Sequence, residues 1–171
     1  MDVKALRAAQ APLKARYSED PSAALTPLHA TATFEGDGVT ATVQGWAGPV
    51  RAGLHAATGG DGTDACSGDM LLDALVACAG VTLRSVATAM RLEIRSADLR
   101  ADGAFDARGT LGLDREVPVG VRDVVVTAEL DTDADDAALE RLAALTERYC
   151  VVGQSLRTPP QMVVRRVAAA G

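Results

Sequence analysis

One segment limits what this chain can become. From Cys66 to Arg91 it reads CSGDMLLDALVACAGVTLRSVATAMR, with no proline and, beyond its first turn, Gly80 as the one helix-weakening residue. The spacing predicts a helix to about Arg91, roughly 37 Å long at the usual rise. Ser67 is the expected N-cap, and Asp69 sits in the first turn, where a negative charge suits the helix dipole. Asp69, Asp73, Gly80, Arg84, Thr88 and Arg91 share one narrow stripe, and nearly everything else is apolar or small. A helix this apolar around its circumference must be covered on several sides. One small sheet cannot do that, so a second sheet or a second subunit is required.

The remaining material is poor in large anchors. Of 171 residues, 48% are apolar but only 3% aromatic, so the core must be built from Ala, Val and Leu. A net charge of −6 argues against nucleic acid or an anionic membrane as partner. The longest apolar stretch, Leu71 to Leu83, is broken by Asp73 and Thr82 and is too short to span a bilayer. The amphipathic N-terminus lacks an unbroken apolar region and is not expected to be a secretory signal. The expected location is therefore cytoplasmic, where cysteines stay reduced unless they do redox work. Three cysteines without a CxxC pair do not make a disulfide framework.

Residues 2–16 read as a short helix, and residues 1–25 as that helix plus an irregular segment marked by Asp20-Pro21. A single domain follows over 26–171. Its first half, 26–91, reads β-β-β-α: a hairpin turning at Glu35-Gly36-Asp37-Gly38, with His29 on a strand, then a strand through PVRAGLHA and the long helix. The second half, 92–171, reads β-β-β-α-β. Its strands are Leu92 to about Arg100, GAFDARGTLGL with Phe105, Ala107, Gly109, Leu111 and Leu113 alternating, and VRDVVVTAEL with Val124, Val126, Ala128 and Leu130 on one face. An acidic-capped helix places Leu139, Leu142, Leu145 and Tyr149 inward, a short helical turn follows Cys150, and QMVVRRVA closes as a strand. The class is α+β.

The chemistry centres on sulfur. Cys78 lies mid-helix among Leu71, Ala74, Leu75, Val81, Thr82 and Ser85. It is either a buried small hydrophobe or a nucleophilic thiol lining a pocket. In an apolar helix its pKa is raised, so a nucleophilic role needs a cation or hydrogen-bond donors from elsewhere. Cys150 stands where one helix ends and another turn begins, so free backbone N–H groups there favour its thiolate. Cys66, just before the long helix, is a cap or a third thiol. His55, Cys66, Cys78 and Cys150 could supply four metal ligands, but no spacing is that of a zinc site, so no metal is expected. Asp69 and Asp73 could form an acid pair, with Asp69 a supporting residue of the site, but they face away from Cys78, and the simpler reading is a dipole partner and a solvated or interface stripe. FEGDG lacks the lysine and following helix of a phosphate loop, so no cofactor is expected.

A Gly-rich loop leading into LLDALVACAGVTL, then GTLGLDREVPVG, then LTERYCVVGQSL and a final strand together resemble the OsmC/Ohr family, the osmotically induced and organic-hydroperoxide-resistance proteins. The resemblance covers roughly residues 26–168. It implies an intertwined homodimer in which two mixed sheets wrap two long central helices. It also implies a thiol-dependent peroxidase that reduces organic hydroperoxides to alcohols, with Cys78 attacking, Cys150 resolving and an external dithiol resetting the pair. The apolar surroundings suit an apolar hydroperoxide. The alternative is a non-peroxidatic member: a redox sensor or a binder of a small apolar ligand. The chain departs from the family pattern at defined points. Glu35-Gly36-Asp37 stands where the peroxidases carry an Arg, and Gly68, beside Asp69, where they carry a Glu. Val151 stands where Pro often follows the second cysteine, and Cys66 where Asn is common. Arg51, His55 or Arg148 is the expected substitute cation.

Overall fold

The computed structural model describes residues 2–167. Helix α1 (Val3–Glu19) and a single tight turn (Pro21–Ala24) precede β1 (Thr31–Thr33), β2 (Thr40–Gly45), β3 (Gly48–Gly53), β4 (Ala65–Cys66) and the long α2 (Ser67–Met90). Then come β5 (Ser96–Ala104), α3 (Ala107–Thr110), β6 (Arg122–Asp131), α4 (Asp136–Tyr149), α5 (Val151–Gln154) and β7 (Gln161–Arg166). The fold is α+β with two mixed sheets. The first has the order β1-β2-β3-β4, antiparallel except for a short parallel β3/β4 pair. The second has the order β5-β6-β7, with β5 antiparallel and β7 parallel to the central β6.

The core belongs to α2, the second sheet and α4. Leu75, Ala79, Leu83 and Ala87 repeat every four residues and form one buried stripe of α2. They pack with Val126, Ala128 and Leu130 of β6 and with Leu139 and Leu142 of α4. Alternation along β6 aims these side chains inward, as its period requires. The first sheet behaves differently: none of its strand residues is buried. The opposite face of α2, through Ala74, Ala77 and Val81, is also open.

Several expectations are corrected. The strand expected from Leu92 begins at Ser96, because the residues between are tied to the end of α2. Arg91 adopts a left-handed conformation (φ 60°) and its N–H bonds to the Ala87 and Thr88 carbonyls. The Arg84 guanidinium then holds the Ile94 carbonyl at 3.0 Å. The alternating segment from Gly103 to Leu113 is not a strand but the end of β5, the single turn α3 and a loop. Asp106 caps that turn, accepting from Arg108 N–H at 3.0 Å and pairing with the Arg108 guanidinium at 2.6 Å. Gly109 backs so closely on this loop that a Cβ there would lie 2.8 Å from the Val117 carbonyl oxygen. Local capping outweighs alternation here, and the second half runs β-α-β-α-α-β.

Cys66, not Ser67, occupies the N-cap position of α2, and its side chain makes no capping bond. His29 lies in irregular chain rather than on a strand. Tyr149 is exposed. Ten residues beyond Leu139 it has rotated off the inward stripe, which continues through Leu142 and Thr146 to Cys150. Finally, α2 as a whole has the length and apolarity of a membrane span. This corrects the expectation that no segment is long enough, which rested on the stretch Leu71 to Leu83 alone. In the fold its buried stripe is part of the core.

Candidate active site

The two thiols named from the sequence meet where α2 passes the junction of α4 and α5. Cys150 closes one helix and opens the next. Its N–H completes α4 by bonding the Thr146 carbonyl at 2.9 Å, and its sulfur accepts from the Gly153 N–H at 3.4 Å. Its backbone is extended there (φ −72°, ψ 103°), which turns the chain between the two helices. Gly153 is needed small: a Cβ would stand 3.3 Å from the Cys150 sulfur and 3.4 Å from the Pro160 ring. Cys150 is 3% exposed.

Cys78 reaches the same junction from α2 and is half-buried. Burial pushes its pKa up, but the Val152 N–H, the Cys150 thiol, the Val151 N–H and the Thr82 hydroxyl all stabilise the anion, and the net shift is downward. Burial pushes Cys150 up. The Gly153 N–H opposes that, the neighbouring Cys78 sulfur adds to it, and the net shift is upward. Two sulfurs this close do not both ionise, so the charge settles on Cys78 and the proton on Cys150. This corrects the expectation that the junction favours a thiolate at Cys150. The free N–H groups of Val151 and Val152 serve the sulfur across from them. No side-chain pattern marks such donors in a sequence.

The remaining candidates lie elsewhere. Cys66, Asp69 and His55 line a separate cavity of about 270 Å³ together with Phe105. The His55 ring meets Phe105 edge-on at 5.3 Å, and its Nδ1 accepts from the Ala57 N–H at 3.0 Å. Along α2, Cys66 is roughly 18 Å from Cys78 at the standard rise. The four-residue set His55, Cys66, Cys78 and Cys150 is thus split between two places. Arg51 is held by Asp64 at 2.7 Å. The Arg148 guanidinium lies 5.7 Å from the centre of the Tyr149 ring. Backbone amides, a hydroxyl and a thiol do for Cys78 what a cation was expected to do.

A small cavity adjoins the pair, and a larger groove lies further along α2, with neither sulfur in its lining. A cavity of about 10 Å³ lies behind Cys150, walled by Leu75, Ala79, Val126, Thr146 and Met162. A groove of about 810 Å³ opens between the chain before β6 and the segment after α5, lined by Leu71, Val119, Val121, Leu156 and Arg157 among others. Leu71 precedes Cys78 by two turns on the same face of α2.

Solved structures share this fold. An OsmC-like protein of unknown function from Vibrio cholerae superposes with a TM-score of 0.66 at 15% identity, covering 84% of this chain and 100% of that one. An organic hydroperoxide resistance protein from Elizabethkingia anophelis gives 0.66 at 14%, covering 84% and 98%. The Bacillus subtilis organic hydroperoxide resistance protein OhrB gives 0.56 at 17%, covering 82% and 98%. No curated protein sequence matches. The family model for OsmC-like protein matches residues 60–165, a span that includes α2, both sulfurs of the junction and all but the last residue of the second sheet; the chain belongs to the OsmC-like protein family.

Proposed function

We propose that this chain is a thiol-dependent peroxidase that reduces organic hydroperoxides through Cys78 and Cys150. The observation that carries this reading is the opposite bias of two adjacent sulfurs, Cys78 toward thiolate and Cys150 toward thiol. In the first step the Cys78 thiolate attacks the terminal oxygen of the hydroperoxide. The S–O bond forms, the O–O bond breaks, and the alkoxide leaves as alcohol on taking a proton. Cys78 is then a sulfenic acid. Cys150 gives up its proton, its sulfur attacks Cys78, a disulfide forms and water leaves. An external dithiol restores both thiols by exchange. The groove beside Leu71, with Val119, Val121 and Leu156 in its walls, suits an apolar hydroperoxide.

A homodimer belongs to the same reading. The first sheet buries none of its strand residues within the chain, and Val81 on α2 is 74% exposed. A second copy that lays its sheet and helix on these faces supplies the cover that α2 requires. A cytoplasmic location fits chemistry that depends on a dithiol reductant.

One observation favours the second reading, a redox sensor or a binder of small apolar molecules: Arg51, one of the three candidate substitute cations, is already paired with Asp64. The deciding experiment is turnover of an organic hydroperoxide with dithiothreitol, followed by mass spectrometry after a brief peroxide pulse. Peroxidase chemistry requires turnover that Cys78→Ser abolishes and a Cys78–Cys150 disulfide in the wild type. Oxidation without turnover supports the sensor.

A further inference from the structure

Thr146 is fully buried in α4, and its hydroxyl has no hydrogen-bond partner among the described residues. A helical threonine ordinarily satisfies its hydroxyl on a carbonyl one turn back. Here that bond is not made. The side chain lines the small cavity behind Cys150, whose other walls include Leu75, Ala79, Val126 and Met162. Glu147 also borders the cavity, but it is exposed, and its backbone carbonyl is taken by the Gln154 amide at 2.9 Å. Thr146 and Cys150 stand one helical turn apart, joined by the 2.9 Å bond from the Cys150 N–H to the Thr146 carbonyl. The two side chains therefore border one space of about 10 Å³, roughly the room of one water.

We propose that Thr146 is a positioning residue for Cys150: its hydroxyl donates to the Cys150 sulfur when that sulfur leaves as a thiolate during opening of the Cys78–Cys150 disulfide. The inference rests on the redox reading above. Cys78 is half-buried whereas Cys150 is 3% exposed, so an external dithiol meets Cys78 first. Its thiolate attacks the Cys78 sulfur, and a mixed disulfide forms between reductant and Cys78. The Cys78–Cys150 bond breaks and its electron pair leaves on Cys150. The reductant's second thiol then displaces Cys78 as thiolate and closes the reductant's own disulfide, while Cys150 takes up the released proton. Between these events a charge sits on Cys150 in apolar surroundings. The Gly153 N–H, at 3.4 Å, is one donor to it. The Thr146 hydroxyl, one turn back on the same face of the helix, is the second. A donor that is idle in the resting thiol state and engaged in the thiolate state accounts for an unpaired buried hydroxyl at this position.

The test uses the full-length oxidised protein with dithiothreitol, comparing wild type, Thr146→Val and Thr146→Ser. Thr146→Val keeps the shape and removes the hydroxyl. It is expected to melt at a higher temperature than wild type, because an unpaired buried donor is gone. Cys78 oxidation by an organic hydroperoxide should keep its wild-type rate. Opening of the disulfide should slow about tenfold, while the thiol–disulfide equilibrium stays at its wild-type position, because the hydroxyl is idle in both the disulfide and the resting thiol. Thr146→Ser should restore the opening rate. Should Thr146→Val not fold, Thr146→Ala carries the same kinetic expectation. An unchanged opening rate without the hydroxyl, or equal slowing in Thr146→Ser, overturns the proposal while leaving the peroxidase reading intact. A wild type that forms no Cys78–Cys150 disulfide after a peroxide pulse removes the reading beneath it, and the proposal with it.

Discussion

Cys78 and Cys150 adjoin at the start of α5, and each thiol sets the other's protonation. Cys78 is held below the ordinary thiol value by donors from the facing backbone. Cys150 is held above it by burial and by that neighbouring charge. The pair is thus biased toward one ionised sulfur and one proton-bearing sulfur, the division that the proposed peroxidase chemistry requires.

Thiol labelling should report this bias. Alkylation of Cys78 depends on its thiolate fraction, so the rate rises with pH and reaches half its maximum below the ordinary thiol midpoint. Cys150→Ala removes one stabilising donor, so the midpoint should move up and labelling at neutral pH should slow. The measurement is iodoacetamide labelling against pH, followed residue by residue by mass spectrometry. A midpoint unmoved by Cys150→Ala counts against the pairing.

Val151 offers a sharper probe of the backbone donors. It is the first residue of α5, a position where proline is tolerated because its fixed φ suits a helix start. Here the Val151 N–H is one of the donors to Cys78. Val151→Pro should therefore leave the fold intact by circular dichroism while raising the Cys78 midpoint and lowering peroxide reactivity at neutral pH several-fold. Family members that carry proline here, as the resemblance implies, lack this donor. In this chain the amide takes over part of the role expected of a cation.

How much of this was legible in the sequence depended on the range of the forces involved. The α2 segment was legible because its apolar periodicity outlasts any local effect, and β6 because Val124, Val126, Ala128 and Leu130 alternate without interruption. The segment around Phe105 alternates equally well, but the Asp106–Arg108 pairing and the close backing of Gly109 on Val117 turn it into a helical turn. Cys78 and Cys150 could be named through their place in recognisable segments. Their electrostatics could not, because the deciding groups are main-chain amides. Thr146 carried no signal at all: a threonine on a helix gives no sign that its hydroxyl will be buried and unpaired.

Cys66 provides a control. It borders the cavity with His55 and Asp69 and lies roughly 18 Å along α2 from Cys78, beyond disulfide reach within one chain. Cys66→Ser should therefore leave the Cys78–Cys150 disulfide and the turnover rate within about twofold of wild type, a scatter worth about 0.4 kcal/mol. Mass spectrometry of the oxidised variant and a turnover assay check this. A larger loss of activity places Cys66 in the reaction.

Val81 tests the assembly. In the isolated chain it is 74% exposed, on the same open face as Ala74 and Ala77. A charge placed on a truly exposed helix position costs about 0.5 kcal/mol or less, so a monomer should tolerate Val81→Asp with little change in melting temperature. In a dimer that closes over this face, the same change buries an unpaired carboxylate against apolar surface, which costs several kcal/mol unless the subunits separate. The expected result is a wild-type dimer by analytical ultracentrifugation and a Val81→Asp variant that is monomeric and melts lower by about 4–8 °C, the size of shift about 2 kcal/mol produces in a chain of this length. A variant that remains dimeric with an unchanged melting temperature shows that α2 meets its cover by another face, and the first sheet then becomes the surface to mutate next.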